Sequence, residues 1–171
     1  MTKMNGGAGL FSLARRVIAG WALFGGFVLV GVVLINAYSI LAGHIINKPF
    51  PGDFELTEMG AAIAAFCFLP YCQLMGSNVS ADIFTMRASP KAVAGMSVFA
   101  AVIATTFSGL MIWRMWHGFL DYQEYEEFTG ILEIPLWWAF VPALISLALL
   151  LCAALMTLRN SVLEMTAKKA L

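Results

Sequence analysis

The chain has 171 residues, of which 61% are hydrophobic and 12% are charged, whereas a typical soluble domain is about 45–50% apolar and about 25% charged. A soluble fold of this size could not bury so much apolar surface, so the composition predicts a membrane protein. Ten basic and ten acidic residues give a formal net charge of zero, which removes any electrostatic case for binding nucleic acid.

The first predicted membrane span covers about residues 17–41 and follows a head that carries Lys3, Arg15 and Arg16. Its apolar run is longer than that of a secretory signal peptide, about 7–15 residues, and long enough to cross a bilayer, so we interpret it as a retained signal anchor. Asn36 is its one strongly polar side chain and should face protein rather than lipid. Glycines that allow close helix approach lie along it: Gly20, Gly25, Gly26 and Gly31.

The second span covers about residues 54–75 and opens with acidic residues. Asp53 suits the N-cap position, and Glu55 suits the positive end of the helix dipole. Glu58 lies one turn deeper, where an unpaired carboxylate is costly, so we expect it to hydrogen-bond within this chain or to a partner. Glu55 and Glu58 are candidates for contact with a partner subunit, with helix capping at the outer surface as the alternative. Pro70 predicts a kink, and two pairs of small residues suit helix contacts: Gly60 with Ala64, and Ala61 with Ala65.

A polar turn follows the second span and closes on basic residues. Within it, residues 81–88 have the pattern of a short interfacial helix. Asn78, Asp82 and Arg87 are candidates for contact with a partner subunit. The alternative for Asp82 and Arg87 is a solvated turn with a weak ion pair.

The third span covers about residues 91–115, after a helix start at Ser89 and Pro90. A stripe of small residues along it suits a helix contact: Ala101, Thr105 and Gly109. Residues 116–133 are predicted to form an acidic loop. Four of its acids are candidates for docking a soluble partner, with a merely solvated loop as the alternative: Asp121, Glu124, Glu126 and Glu127.

The fourth span covers about residues 134–158 and contains Pro135 near its start and Pro142 inside it, and both prolines are candidates for subunit contact or a structural role. Four spans place both termini on the same side. That side then holds eight of the ten basic residues, so the positive-inside rule places both termini in the cytoplasm. An aromatic belt is expected at the outer interface: Trp113, Trp116, Trp137 and Trp138. The sequence thus predicts a single four-helix membrane domain over residues 1–171.

The sequence lacks the residue patterns that several kinds of functional site require. The three cysteines lie in apolar runs without a CxxC pair, so neither a disulfide framework nor a zinc site is expected. His44 and His117 fall near the outer surface, which disfavours a haem between facing helices. Walker and GxSxG motifs are missing, and spans one, three and four have no ionisable group near their centres. We therefore expect no enzyme activity and no cofactor.

The order of these features resembles the small membrane subunit of tripartite ATP-independent periplasmic (TRAP) transporters. The resemblance covers nearly the whole chain and begins with the basic head. Its motifs are Glu55-Leu56-Thr57-Glu58, the exit Gly76-Ser77-Asn78-Val79-Ser80-Ala81-Asp82, and Leu132-Glu133-Ile134-Pro135-Leu136-Trp137 followed by Pro142. The chain departs from the family at Asn78, where a histidine is common.

This resemblance implies a non-catalytic scaffold in the bacterial inner membrane. In the family, a large membrane subunit carries the substrate and sodium sites and moves as an elevator, and a periplasmic binding protein delivers an organic acid. The partners implied are those two proteins and membrane lipids. The alternative is a stand-alone small carrier, or the membrane-anchor subunit of a quinone-linked enzyme, in which Asn36, Glu58 and Gln73 would line a polar path.

Overall fold

Four long helices make up the fold in the computed structural model, which describes residues 5–75 and 90–169. All four are long and apolar enough to cross a membrane, which confirms the predicted all-α membrane fold. The described residues contain no β-strand, and the expected interfacial helix at 81–88 lies outside them. The helices are α1 (Asn5–Ile46), α2 (Asp53–Met75), α3 (Pro90–Glu124) and α4 (Trp137–Lys169).

The third helix continues well past the predicted end of its span. Residues 116–124 were expected in a loop, and this was wrong because they extend α3. Their aromatic rings pack across to α4: Phe119 lies 6.1 Å from Trp137, and Tyr122 lies 5.0 Å from Phe140, measured between ring centroids. Such pairs add stability beyond area burial. The extension of α3 is therefore stabilised by tertiary packing rather than by hydropathy.

The helices lie side by side in the order α1–α2–α4–α3. Among the described residues, α1 packs against α2, α2 against α4, and α4 against α3, whereas α1 and α4 touch only slightly. A closed bundle would bring α1 back against α3. The arrangement is instead an open layer, which we call the helix layer, with α4 in its interior.

The core of the helix layer is built from small residues at regular spacing. On α1, the buried positions Ile18, Gly25, Val32 and Ser39 recur every seven residues and form one narrow stripe. On α4, the buried positions repeat at three and four residues: Ala143, Ser146, Leu147, Leu150, Ala153 and Ala154. Because the glycine, alanine and serine side chains among them are small, neighbouring backbones approach closely at those positions.

Only some of the predicted glycine contacts are made within this chain. A Cβ built on Gly25 would lie 2.5 Å from the Cβ of Cys67, and one built on Gly60 would collide with Val32. By contrast, nothing in the described part of the chain lies within 4 Å of such an atom at Gly20, Gly26 or Gly31. Likewise Gly60 and Ala64 are buried, whereas Ala61 and Ala65 are exposed.

Candidate subunit-contact surfaces

Glu55, at the start of α2, is hydrogen-bonded to the loop between α3 and α4. Its Oε1 accepts a hydrogen bond of 2.7 Å from the backbone N–H of Ile131, and its Oε2 accepts one of 3.0 Å from that of Leu132. Charge-assisted bonds of this kind are among the stronger ones in proteins. Leu132 also covers Gly52, whose φ of +81° favours glycine and where a Cβ would meet the leucine side chain. Glu55 therefore holds a specific loop conformation.

The loop at residues 125–136 folds back on itself. The N–H of Thr129 donates to the carbonyl of Ile134 at 2.9 Å, and the N–H of Leu136 donates to that of Glu127 at 3.0 Å. The hydroxyl of Thr129 accepts a third bond, from the N–H of Ile134. Glu133 adopts the left-handed conformation, with φ of 52°. These bonds give the loop a defined shape, and we call it the folded loop.

A chain of polar contacts joins α1 to the start of α2. Asn36 Nδ2 donates to Thr57 Oγ1 at 2.6 Å, and the Thr57 hydroxyl donates to the carbonyl of Asp53 at 2.7 Å. Ser39, which is only 2% exposed, donates to the Asp53 carboxylate at 2.6 Å and accepts from the N–H of Phe50. Asn36 therefore faces protein, as expected, and its amide has a structural role.

The second glutamate of the α2 motif has a different environment from the first. Glu58 is exposed, and within the described part of the chain its side chain has no hydrogen-bond partner. Among those residues Glu58 therefore makes no hydrogen bond within this chain, and the expectation that it bonds within the chain or to a partner subunit stays a prediction.

The predicted docking acids are brought to the same end of the helix layer as Glu55. Asp121 and Glu124 lie on the last turn of α3, and Glu126 and Glu127 lie at the start of the folded loop. All four are exposed. They therefore form one accessible acidic surface beside a loop whose shape Glu55 holds. Asn78, Asp82 and Arg87 lie outside the described residues.

Both proline candidates are part of the framework of α4. Pro135 pairs with Phe128 in an isolated bridge, and its carbonyl accepts from the N–H of Trp138 at 3.1 Å, where α4 begins. Pro142 lies inside α4, and its carbonyl accepts from the hydroxyl of Ser146 at 2.7 Å. Neither proline lines a cavity described for this chain.

One buried contact that the sequence did not predict joins three helices. The indole Nε1 of Trp21 donates to Ser146 Oγ at 2.8 Å, and the Sγ of Cys67 lies 3.8 Å from the same oxygen. Ser146 is fully buried. A serine within an apolar run gives only a weak sequence signal, because serines in membrane helices commonly bond to their own backbone.

Large apolar side chains cover the outward faces of the helix layer. On α3, only 11% of the most apolar stretch is buried, and among the described residues no other helix or loop comes within 4 Å of a Cβ built on Gly95 or Gly109. Of the predicted stripe, Ala101 is buried, whereas Thr105 is half-buried and bonds its own helix. Part of the small-residue stripe therefore packs within this chain, whereas its end at Gly109 is not covered by the described residues.

The described residues show no convergence of metal-binding groups. Within residues 5–75 and 90–169, no three His, Cys, Asp or Glu side chains come together as a possible metal site. His44 and His117 are both exposed, and His117 Nδ1 lies 2.8 Å from the carbonyl of Trp113 on its own helix. The polar groups of this part of the chain form structural contacts or remain at the surface.

Comparison with known families gives one match. The family described as "Tripartite ATP-independent periplasmic transporters, DctQ component" matches residues 32–164, which is more than half of the chain. No curated protein and no solved structure gives a significant match. The matched region extends from the middle of α1 nearly to the end of α4 and includes the Glu55 contact and the folded loop. This multi-pass membrane protein therefore belongs to the DctQ component family, the small membrane subunits of TRAP transporters.

Proposed function

We propose that this chain is the non-catalytic small subunit of a sodium-coupled transporter for an organic acid. It packs beside a large elevator subunit as part of the static scaffold, and a periplasmic binding protein delivers the substrate. It lies in the bacterial inner membrane with both termini in the cytoplasm. The family membership supports a tripartite assembly, and the geometry supports the scaffold role.

The open helix layer is the observation that carries this proposal. A lone four-helix unit would bury its glycine faces inside itself, yet Gly20, Gly26 and Gly31 leave open space around them on α1. Membrane helices associate through close packing of small residues and hydrogen bonds rather than through apolarity alone. Open glycine faces in an uncovered layer are therefore the expected surface for a neighbouring membrane subunit.

The polar groups of this chain favour a scaffold over a stand-alone carrier. A carrier would need Asn36, Glu58 and Gln73 along one path. The Asn36 amide is engaged by Thr57 and by the carbonyl of Val32, and Glu58 is exposed. Gln73 is buried about 22 Å along α2 from Glu58, at a rise of about 1.5 Å per residue. These three groups do not converge.

Co-purification tests the assembly directly. The full chain, co-expressed with the large membrane subunit of its transporter, should elute with that subunit from a detergent extract. Elution of this chain alone under those conditions would contradict the proposal. Orientation is tested by single cysteines placed at Met4 and Lys169 in intact cells. Both should be shielded from an impermeant thiol reagent, and labelling of either would contradict cytoplasmic termini.

The scaffold role is tested with Glu58→Gln. Sodium-like hard cations require several oxygen ligands together, and a lone carboxylate does not provide them. Uptake into proteoliposomes, normalised to assembled complex, should therefore keep its sodium dependence and substrate affinity in this variant. A lowered amount of complex is compatible with a subunit contact. A shifted sodium dependence at normal complex levels would refute the scaffold role.

A further inference from the structure

A cleft lies at the end of the helix layer opposite the folded loop. It is formed by the N-terminal part of α1 and the last turns of α2, and its volume is about 370 Å³. Its lining combines two guanidinium groups, a hydroxyl and a phenol with two apolar side chains: Ser12, Arg15, Arg16, Ala19, Tyr71 and Met75. This combination is unlike that of any other surface described above.

The positive charge of the cleft is not neutralised by carboxylates of the described residues. Arg15 and Arg16 are both exposed, and among the described residues no carboxylate forms an ion pair with either. The carboxylates whose side chains the structure describes belong to residues 53–58 and 121–133, at the opposite end of the helix layer. The two guanidinium groups are therefore available to an anion.

The surface beside the cleft is apolar and belongs to the membrane span. Met75, which lines the cleft, is 43% exposed, and Leu23, which lies one turn beyond Ala19 on the same face of α1, is 66% exposed. A ligand held by the arginines would thus have hydrocarbon-compatible surface directly next to its charged part. A small soluble anion makes no use of such a surface, whereas a lipid with a charged headgroup uses both parts.

We propose that this cleft binds the phosphate group of an anionic phospholipid. The planar guanidinium groups of Arg15 and Arg16 form paired hydrogen bonds with phosphate oxygens, as arginine does better than lysine. The phenol of Tyr71 donates a further bond. The acyl chains lie along α1 over Leu23. Basic residues next to a membrane helix attract anionic lipids in general, and the cleft adds a defined site to this attraction. The site is independent of the proposed transport function.

Arg159 provides a matched control for the two cleft arginines. It lies at the same end of the helix layer and is also exposed, but its guanidinium carbon sits 5.7 Å above the ring of Phe11 and does not line the cleft. Removing its charge changes the net charge of this end as much as removing Arg15 does. Any effect that depends on charge alone should therefore be the same for both residues.

The test uses the full chain, delipidated in detergent, and a fluorescent short-chain phosphatidylglycerol as the probe. Arg15→Gln should raise the Kd of the probe by about fivefold or more, and Arg15→Gln with Arg16→Gln by about tenfold or more, because charge-assisted bonds are lost. Arg159→Gln should leave the Kd within about twofold. Replacing both cleft arginines by lysine keeps the charge but removes the planar fork, and should give an intermediate loss. Unchanged elution and helical circular dichroism establish that each variant folds.

Several outcomes would overturn the assignment. A loss of affinity in Arg159→Gln equal to that in Arg15→Gln would show a diffuse charge effect without a site. A probe with a phosphatidylcholine headgroup that binds as tightly would show that the anionic headgroup is not recognised. Displacement of the lipid by inorganic phosphate at equal concentration would assign the cleft to a free phosphate instead of a lipid. A Kd that the double glutamine variant leaves unchanged would remove both arginines from the site.

Discussion

The close approach of α1 to α2 at Gly25 makes the effect of Gly25→Ala predictable. The new Cβ would lie 2.5 Å from the Cβ of Cys67 and 3.3 Å from the carbonyl oxygen of Ala64. Carbon atoms pack favourably at about 3.5–4.0 Å. Because the Cβ of Cys67 is attached to its backbone, no rotamer change relieves the contact. The two helices must separate locally by about 1 Å to restore that spacing.

The expected cost follows from two opposing terms. Overpacking of this kind costs about 1–3 kcal/mol, and replacing a helical glycine by alanine returns about 0.5–1 kcal/mol. We expect a net loss of about 1–2 kcal/mol in the free energy of unfolding. Gly26→Ala is the matched control, because no atom lies within 4 Å of its new Cβ. The control should be neutral or slightly stabilising.

A compensating change on the other helix separates the contact from other effects. Cys67→Gly removes the obstructing Cβ, so combining it with Gly25→Ala should restore about 1 kcal/mol or more relative to the sum of the single changes. Unfolding of each variant is followed by far-UV circular dichroism in mixed micelles during a titration with sodium dodecyl sulfate. The reasoning is refuted if Gly25→Ala is as stable as Gly26→Ala, or if the two changes are simply additive.

Two further predictions concern the polar contacts. Glu55→Gln leaves only one side-chain oxygen for the two loop N–H groups, so the amide of Ile131 should exchange with deuterium faster. Glu58→Gln should leave this exchange rate unchanged. Equal exchange in wild type and Glu55→Gln would contradict the role of Glu55 in holding the loop. Trp21→Phe should cost about 1 kcal/mol of unfolding free energy. Ser146→Ala should add less to Trp21→Phe than it costs alone, and full additivity in the same titration would show that the 2.8 Å hydrogen bond contributes nothing.

The four spans and the position of Asn36 could be predicted from the sequence because the bilayer imposes them. Its thickness fixes the length of each apolar run, and its lack of water requires a strongly polar side chain to face protein. The continuation of α3 through residues 116–124 could not be predicted in this way. It depends on contacts between aromatic rings of α3 and α4, whereas hydropathy indicates only that those residues lie near a membrane interface.

The order of the helices and the role of Glu55 could also not be predicted from the sequence. Gly25 and Gly26 are adjacent and alike in composition, but only Gly25 meets another helix, since apolar residues surround α1 on all sides. The hydrogen bonds of Glu55 go to backbone groups of residues 131 and 132. Every residue but proline carries such an N–H group, so side-chain patterns contain no record of this contact.

The interior position of α4 has a consequence for how the protein is made. Domains assemble from the N-terminus as the ribosome delivers them, so α1 and α2 can pair as soon as both have entered the membrane. The third helix, whose apolar stretch is 11% buried even in the finished fold, has no such neighbour when it arrives. The third helix therefore has no packed neighbour in the membrane until α4, which is synthesised last, enters between α3 and α2. Translation arrested before α4 would thus leave a paired α1–α2 hairpin and an isolated α3, on which Ser108, buried in the finished fold, faces hydrocarbon.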